Sequence, residues 1–141
     1  MITRQRCPVN ALEMSTVVTS LPVLLIVEDE AILASTLREN LSGQFEVEVA
    51  ANAAEAHLLL GGRKFDVILS DHMMPGKQQG LDFLMDAMRQ QPEAKRILMT
   101  GYLNPELLAR STKLAELSAC LIKPVELTRL RKELDEAIGR R

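Results

Sequence analysis

Past residue 21 the chain alternates short apolar runs with longer segments of helical period, and this alternation restricts its fold more than any other feature. Strand and helical segment, repeated in turn, form the pattern of βα units around a parallel sheet. The apolar runs fall at Val23 to Val27, Phe45 to Ala50, Phe65 to Ser70, Arg96 to Met99 and Ala119 to Ile122. Most are nearly pure apolar, as expected of strands covered by helices on both faces. The run Phe45-Glu-Val-Glu-Val-Ala50 instead alternates, which predicts an edge strand with one wetter side.

The intervening helices carry their own signals. Asn52-Ala-Ala-Glu55 reads as a capping box opening the second helix, and Gly61-Gly62 as its stop. Leu127, Leu130, Leu134 and Ile138 recur at three-to-four spacing and give the last helix one apolar face. The fourth helix, Pro105 to about Leu117, has Ser111 and Thr112 at its centre and a thin apolar stripe, so it is the expected moving element. With 141 residues, 47% of them hydrophobic, the chain can bury one domain's core. Residues 1–20 are expected to be a poorly ordered extension, with Met14 an alternative start, and 21–141 the folded unit. The last helix ends with the chain, which leaves no expected room for an output domain.

The charge pattern narrows the function classes. A formal net charge of −2 without a basic run predicts no nucleic-acid partner. The longest apolar stretch, Leu21 to Val27, contains Pro22 and is too short to span a bilayer, and the N-terminus lacks a signal-peptide core, so a cytoplasmic location is expected. Cys7 and Cys120 suggest neither a disulfide framework nor a metal site.

Ligands of an open parallel sheet gather outside the carboxyl ends of its strands. The first strand hands over to Glu28-Asp29-Glu30, the third ends at Asp71, the fourth at Thr100-Gly101 and the fifth at Lys123-Pro124. Carboxylates crowded there repel, by on the order of 4 kcal/mol for unit charges ~4 Å apart at an effective dielectric of ~20. Lys123 supplies one counter-charge, and an oxygen-only donor set suits a hard divalent ion, Mg²⁺ before Zn²⁺. A carboxylate beside such an ion, an ammonium and a hydroxyl has the parts to accept a phosphoryl group: Asp71 as nucleophile, the positive charge and Thr100 stabilising the equatorial oxygens.

These residues resemble the receiver domain of bacterial two-component response regulators. The likeness rests on Glu28-Asp29, Asp71 followed by Met74-Pro75, Thr100-Gly101 and Lys123-Pro124, in that order, over about residues 21 to 140. It implies a flavodoxin-like (βα)₅ three-layer sandwich with a five-stranded parallel sheet, and Asp71 as phosphoacceptor. It also implies Mg²⁺ held by Asp29, Asp71 and the backbone carbonyl of Met73, with Glu28 acting through water. Thr100 and Lys123 would hold the phosphoryl oxygens, and the Lys123–Pro124 bond could be cis. The implied partners are a histidine kinase or histidine phosphotransfer protein as donor and an effector protein downstream, with a homodimer left open. The implied chemistry is self-phosphorylation and slow autodephosphorylation, not that of a conventional enzyme.

The chain departs from the family pattern twice. Cys120 stands three residues before the lysine, where the family usually has Tyr or Phe, and Tyr102, the single tyrosine, lies on the loop after Thr100. The loop Pro75-Gly-Lys-Gln-Gln-Gly80 is one residue longer than usual. Two other functions share parts of this pattern. A receiver-like module that is never phosphorylated would explain Cys120 as a lost switch. An aspartate-nucleophile phosphatase would want a second acid two residues after Asp71, where Met73 stands. His72 and His57 are expected to stay out of the chemistry, the first because strand neighbours point to opposite sides.

Overall fold

The computed structural model describes residues 20–72, 79–101 and 104–140. The N-terminal extension up to residue 19, the expected metal ligand Met73, the rest of the loop through Gln78, and Tyr102 therefore lie outside the described residues. Within them the chain runs β1 (Val23–Val27), α1 (Ala31–Leu41), β2 (Glu46–Ala50), α2 (Ala53–Gly62), β3 (Val67–Asp71), α3 (Gly80–Gln90), β4 (Lys95–Thr100), α4 (Pro105–Leu114), β5 (Ala119–Ile122) and α5 (Leu127–Ala137). The five strands pair in parallel in the order β2-β1-β3-β4-β5. This is the parallel sheet of βα units expected from the alternation of runs, in the flavodoxin-like form that the family resemblance implies.

The sheet separates two cores. On one face Leu25, Ile68 and Leu98 meet Ala56 and Leu60 of α2 and Leu84 of α3. On the other Leu24, Leu69 and Ile97 meet Leu37 and Leu41 of α1 and Leu130 of α5. Leu127 and Ile138, the ends of the predicted α5 stripe, pack only partly buried against this second core. The period-two reading of β2 is correct: it is an edge strand, with Val47 and Val49 packed inward. Its Glu46 and Glu48 are each 2.9 Å from the Arg63 guanidinium. Arg38 donates to the Val47 carbonyl at 3.2 Å, so charged side chains cover this border of the sheet.

The predicted cap of α2 is present with one adjustment. Asn52 Oδ1 accepts from the Glu55 amide at 2.9 Å, and Glu55 Oε1 accepts from the Ala51 amide at 2.9 Å rather than from that of Asn52. The helix closes at Gly62, with the Arg63 amide donating to Leu59. Several predicted boundaries shift by one to three residues. Phe65 stays out of β3 because its amide donates to the Gln91 side chain, although its ring is buried. The fourth helix stops at Leu114 instead of Leu117, since Glu116 takes a left-handed conformation, φ 49°, that a helix cannot continue.

Candidate functional site

Leaving β1 the chain pairs outward to β2, then returns across β1 to β3, so the order of strands reverses between β1 and β3. At such a point the loops diverge and open a crevice at the carboxyl ends. Glu28 continues β1 by one more backbone bond, its amide donating to the Ala50 carbonyl at 3.0 Å. That ladder bond carries the side chain inward, and Glu28 is buried while Asp29 next to it is exposed. Asp71 ends β3 and is buried. Thr100 ends β4, also buried, and its carbonyl accepts from the Lys123 amide at 2.8 Å. This bond sets Lys123 at the tip of β5, ahead of a cis Lys123–Pro124 peptide.

The expected meeting takes place. Carboxylate oxygens of Glu28, Asp29 and Asp71 lie within 4.8 Å of one another. Lys123 Nζ is 2.8 Å from Glu28 Oε1 and 3.3 Å from Asp71 Oδ2, bridging the two buried acids. The second Glu28 oxygen accepts from the Glu30 amide at 3.1 Å. Glu30 itself is exposed and precedes α1 without a side-chain cap, so it adds no ligand to this group.

The electrostatics follow from this packing. Burial is the largest influence on Glu28 and pushes its carboxyl above the ordinary glutamate value, against the lowering by Lys123 and the Glu30 amide. Burial alone would lower the Lys123 ammonium. The hydrogen bond to Glu28 and the charge of Asp71 outweigh it, and its pKa lies above the ordinary lysine value. One lysine thus serves two carboxylates and a third stands alongside, an arrangement still short of positive charge. The oxygen-only donor set, without His or Cys, fits a hard divalent cation.

Gly80 is a site residue that the sequence reasoning missed. A Cβ built on it would lie 2.1 Å from the Asp71 carbonyl oxygen and 2.7 Å from His72 Cα, distances no side chain tolerates. Its amide donates to the His72 carbonyl at 2.8 Å, which closes the neck of the loop that leaves Asp71. The signal was present as a glycine opening an amphipathic helix, but only the fold reveals what it touches. Among the described residues, the His72 imidazole is not part of the carboxylate group and its buried Nδ1 has no hydrogen-bond partner. Cys120 is partly buried against the core beside α2 and α3, and burial raises its thiol pKa.

Comparison with known proteins gives the arrangement a lineage. The chain is 34% identical over 101 residues to the hydrogenase transcriptional regulatory protein HoxA of Cupriavidus necator, a segment covering 72% of this chain and 21% of that protein. The chain thus spans about a fifth of that relative's length. Its structure matches the signal receiver domain of an HD domain-containing protein from Pseudomonas fluorescens at TM-score 0.80 and 29% identity, covering 91% of this chain and 93% of that one. It also matches, at TM-score 0.74 and 26% identity, a Burkholderia pseudomallei response regulator with a phosphorylated aspartic acid and a calcium ion, covering 84% of this chain and 69% of that one. The model of the response regulator receiver domain matches residues 24–135, nearly the whole folded unit, and the chain belongs to that family.

Proposed function

We propose that residues 21–141 form a phospho-accepting receiver in which Asp71 takes a phosphoryl group from a histidine kinase or histidine phosphotransfer protein, inside the cytoplasm. The observation that carries this reading is the bridging of Glu28 and Asp71 by Lys123, with Asp29 alongside. An Asp71 oxygen attacks phosphorus, the bond from phosphorus to the donor's leaving group breaks, and an acyl phosphate forms. Lys123 shifts from Asp71 toward the phosphoryl oxygens as they gain charge, and the Thr100 hydroxyl donates to another. Water later cleaves the acyl phosphate, slowly, and restores the carboxylate.

Asp29, Asp71 and the Met73 carbonyl would hold Mg²⁺, with Glu28 acting through water. The bound ion would supply charge neutralisation at the acceptor. The neighbour from Burkholderia pseudomallei, with its phosphorylated aspartic acid and calcium ion, supports the same assignment by likeness. Phosphorylation then alters which effector protein binds.

Incubation with a small-molecule phosphodonor such as acetyl phosphate tests this directly. Intact-mass spectrometry should show a phosphoryl increment that requires Mg²⁺ and disappears in Asp71→Asn. A chain that gains nothing at saturating donor would instead be an interaction module that signals without phosphate.

A further inference from the structure

The base of β4 holds a cation of a different kind. Arg96 is almost wholly buried, 5% exposed, and is followed in its strand by the buried apolar residues Ile97, Leu98 and Met99. Its side chain takes backbone carbonyls as partners. Nε donates to Ala115 at 2.7 Å, Nη1 to Ala94 at 2.6 Å and to Pro92 at 3.4 Å, and Nη2 to Glu116 at 3.4 Å. The nearest carboxylate, on Glu116, is exposed and 4.0 Å away. Ala115 and Glu116 directly follow α4, so their carbonyls sit at the negative end of that helix, where a guanidinium is favoured. The Ser118 amide donates to the Arg96 carbonyl at 2.8 Å and adds a backbone tie at the same place.

The two ends of α4 are held by different bonds. No described side chain from Pro105 to Leu114 is buried, whereas Ala115 is completely so. The opening end, close to the Thr100–Gly101 loop, rests on the Asn104 side chain, which accepts from the Glu106 amide at 2.8 Å. Charged hydrogen bonds from Arg96 hold the closing end, and the Asn104 cap marks the opening one.

We propose that Arg96 is the pivot of α4: it fastens the closing end of the helix to the sheet, so that α4 swings about residues 115–118 with a displacement that grows toward Pro105. A signal at Thr100 then moves the near end of a lever whose far end is bolted. The swing in response to phosphorylation rests on the proposed function; the pivot itself does not.

Amide hydrogen exchange on the full chain tests the pivot. In Arg96→Met the amides of residues 112–118 should exchange about tenfold faster or more, while those of β1 and β3 keep their rates. Unchanged protection at 112–118 would overturn the proposal. Arg96→Lys, which keeps the charge with fewer donors, should give an intermediate loss and serves if the methionine variant fails to fold. Equal protection in Arg96→Lys and wild type would likewise count against it. Beryllium fluoride with Mg²⁺, a phosphoryl mimic, provides the second arm. Nuclear Overhauser distances should show the closing end of α4 fixed against β4 in wild type while the opening end moves, and a uniform translation would refute the lever. If Asp71 takes no mimic, the proposed function fails and the exchange arm alone decides the pivot.

Discussion

At Lys123, one ammonium between two buried carboxylates, removal of the charge has separable consequences. Lys123→Met should destabilise the metal-free protein by about 1–3 kcal/mol, below the usual cost of breaking a buried pair because the lysine side chain is 22% exposed. Chemical denaturation in EDTA measures this, and added Mg²⁺ should recover part of it. Metal affinity should survive while the phosphoryl-dependent response weakens; equal loss of both would show that the lysine does not read the phosphate. The raised pKa also fixes a sign with pH. The stabilisation from a lysine of raised pKa is fully present below the unfolded value of 10.5 and is lost as pH rises through the higher folded value. The stability gap between wild type and Lys123→Met should therefore narrow above about pH 10.5, and a gap constant to strongly alkaline pH would contradict the pairing. At Gly80 a single methyl group must displace either α3 or the Asp71 carbonyl. Gly80→Ala should lose about 1–3 kcal/mol, as overpacking does, and weaken Mg²⁺ binding through the distorted neck of the loop. An alanine variant with wild-type midpoint and affinity would mean that this contact yields freely.

Among the elements, what could be read in advance was what depends on neighbours along the chain. The α2 cap was legible because Asn52 and Glu55 reach only one another and the adjacent backbone. Asn52→Ala should cost about 1 kcal/mol, readable in a urea midpoint, and no change would mean that the helix start is held by packing alone. The β2 edge was legible from strict alternation of Glu and Val. The early end of α4 was not, because it is set by Arg96 on β4, some twenty residues earlier, and by a left-handed Glu116 that no local pattern announces. The starts of β2 and β3 shift for a similar reason. The Phe45 amide turns back to the Leu41 carbonyl and that of Phe65 to the Gln91 side chain, so two aromatic residues pack in the core without joining the ladder.

For the molecule as a whole, the site could be anticipated because parallel topology sends the carboxyl ends of all strands to one border, so residue types at strand ends suffice to place Glu28, Asp29, Asp71, Thr100 and Lys123 together. Contacts that depend on depth, such as the close approach of Gly80, could not. The excess of acid over base at this border predicts a global response. A saturating divalent ion stabilises the fold by mass action, about 2.7 kcal/mol at a hundredfold over Kd. Thermal melts should therefore rise by several degrees from EDTA to excess Mg²⁺, and the rise should shrink in Asp71→Asn. A melt indifferent to the ion would remove the metal from the account.

Glu28 has both oxygens occupied, one by Lys123 and one by the Glu30 amide, while Asp29 beside it faces the solvent. A cation bound as proposed would therefore meet a stationary wall on one side and a free hand on the other. Its traffic would then run through the outer carboxylate, with the frame of the protein standing still as the ion comes and goes.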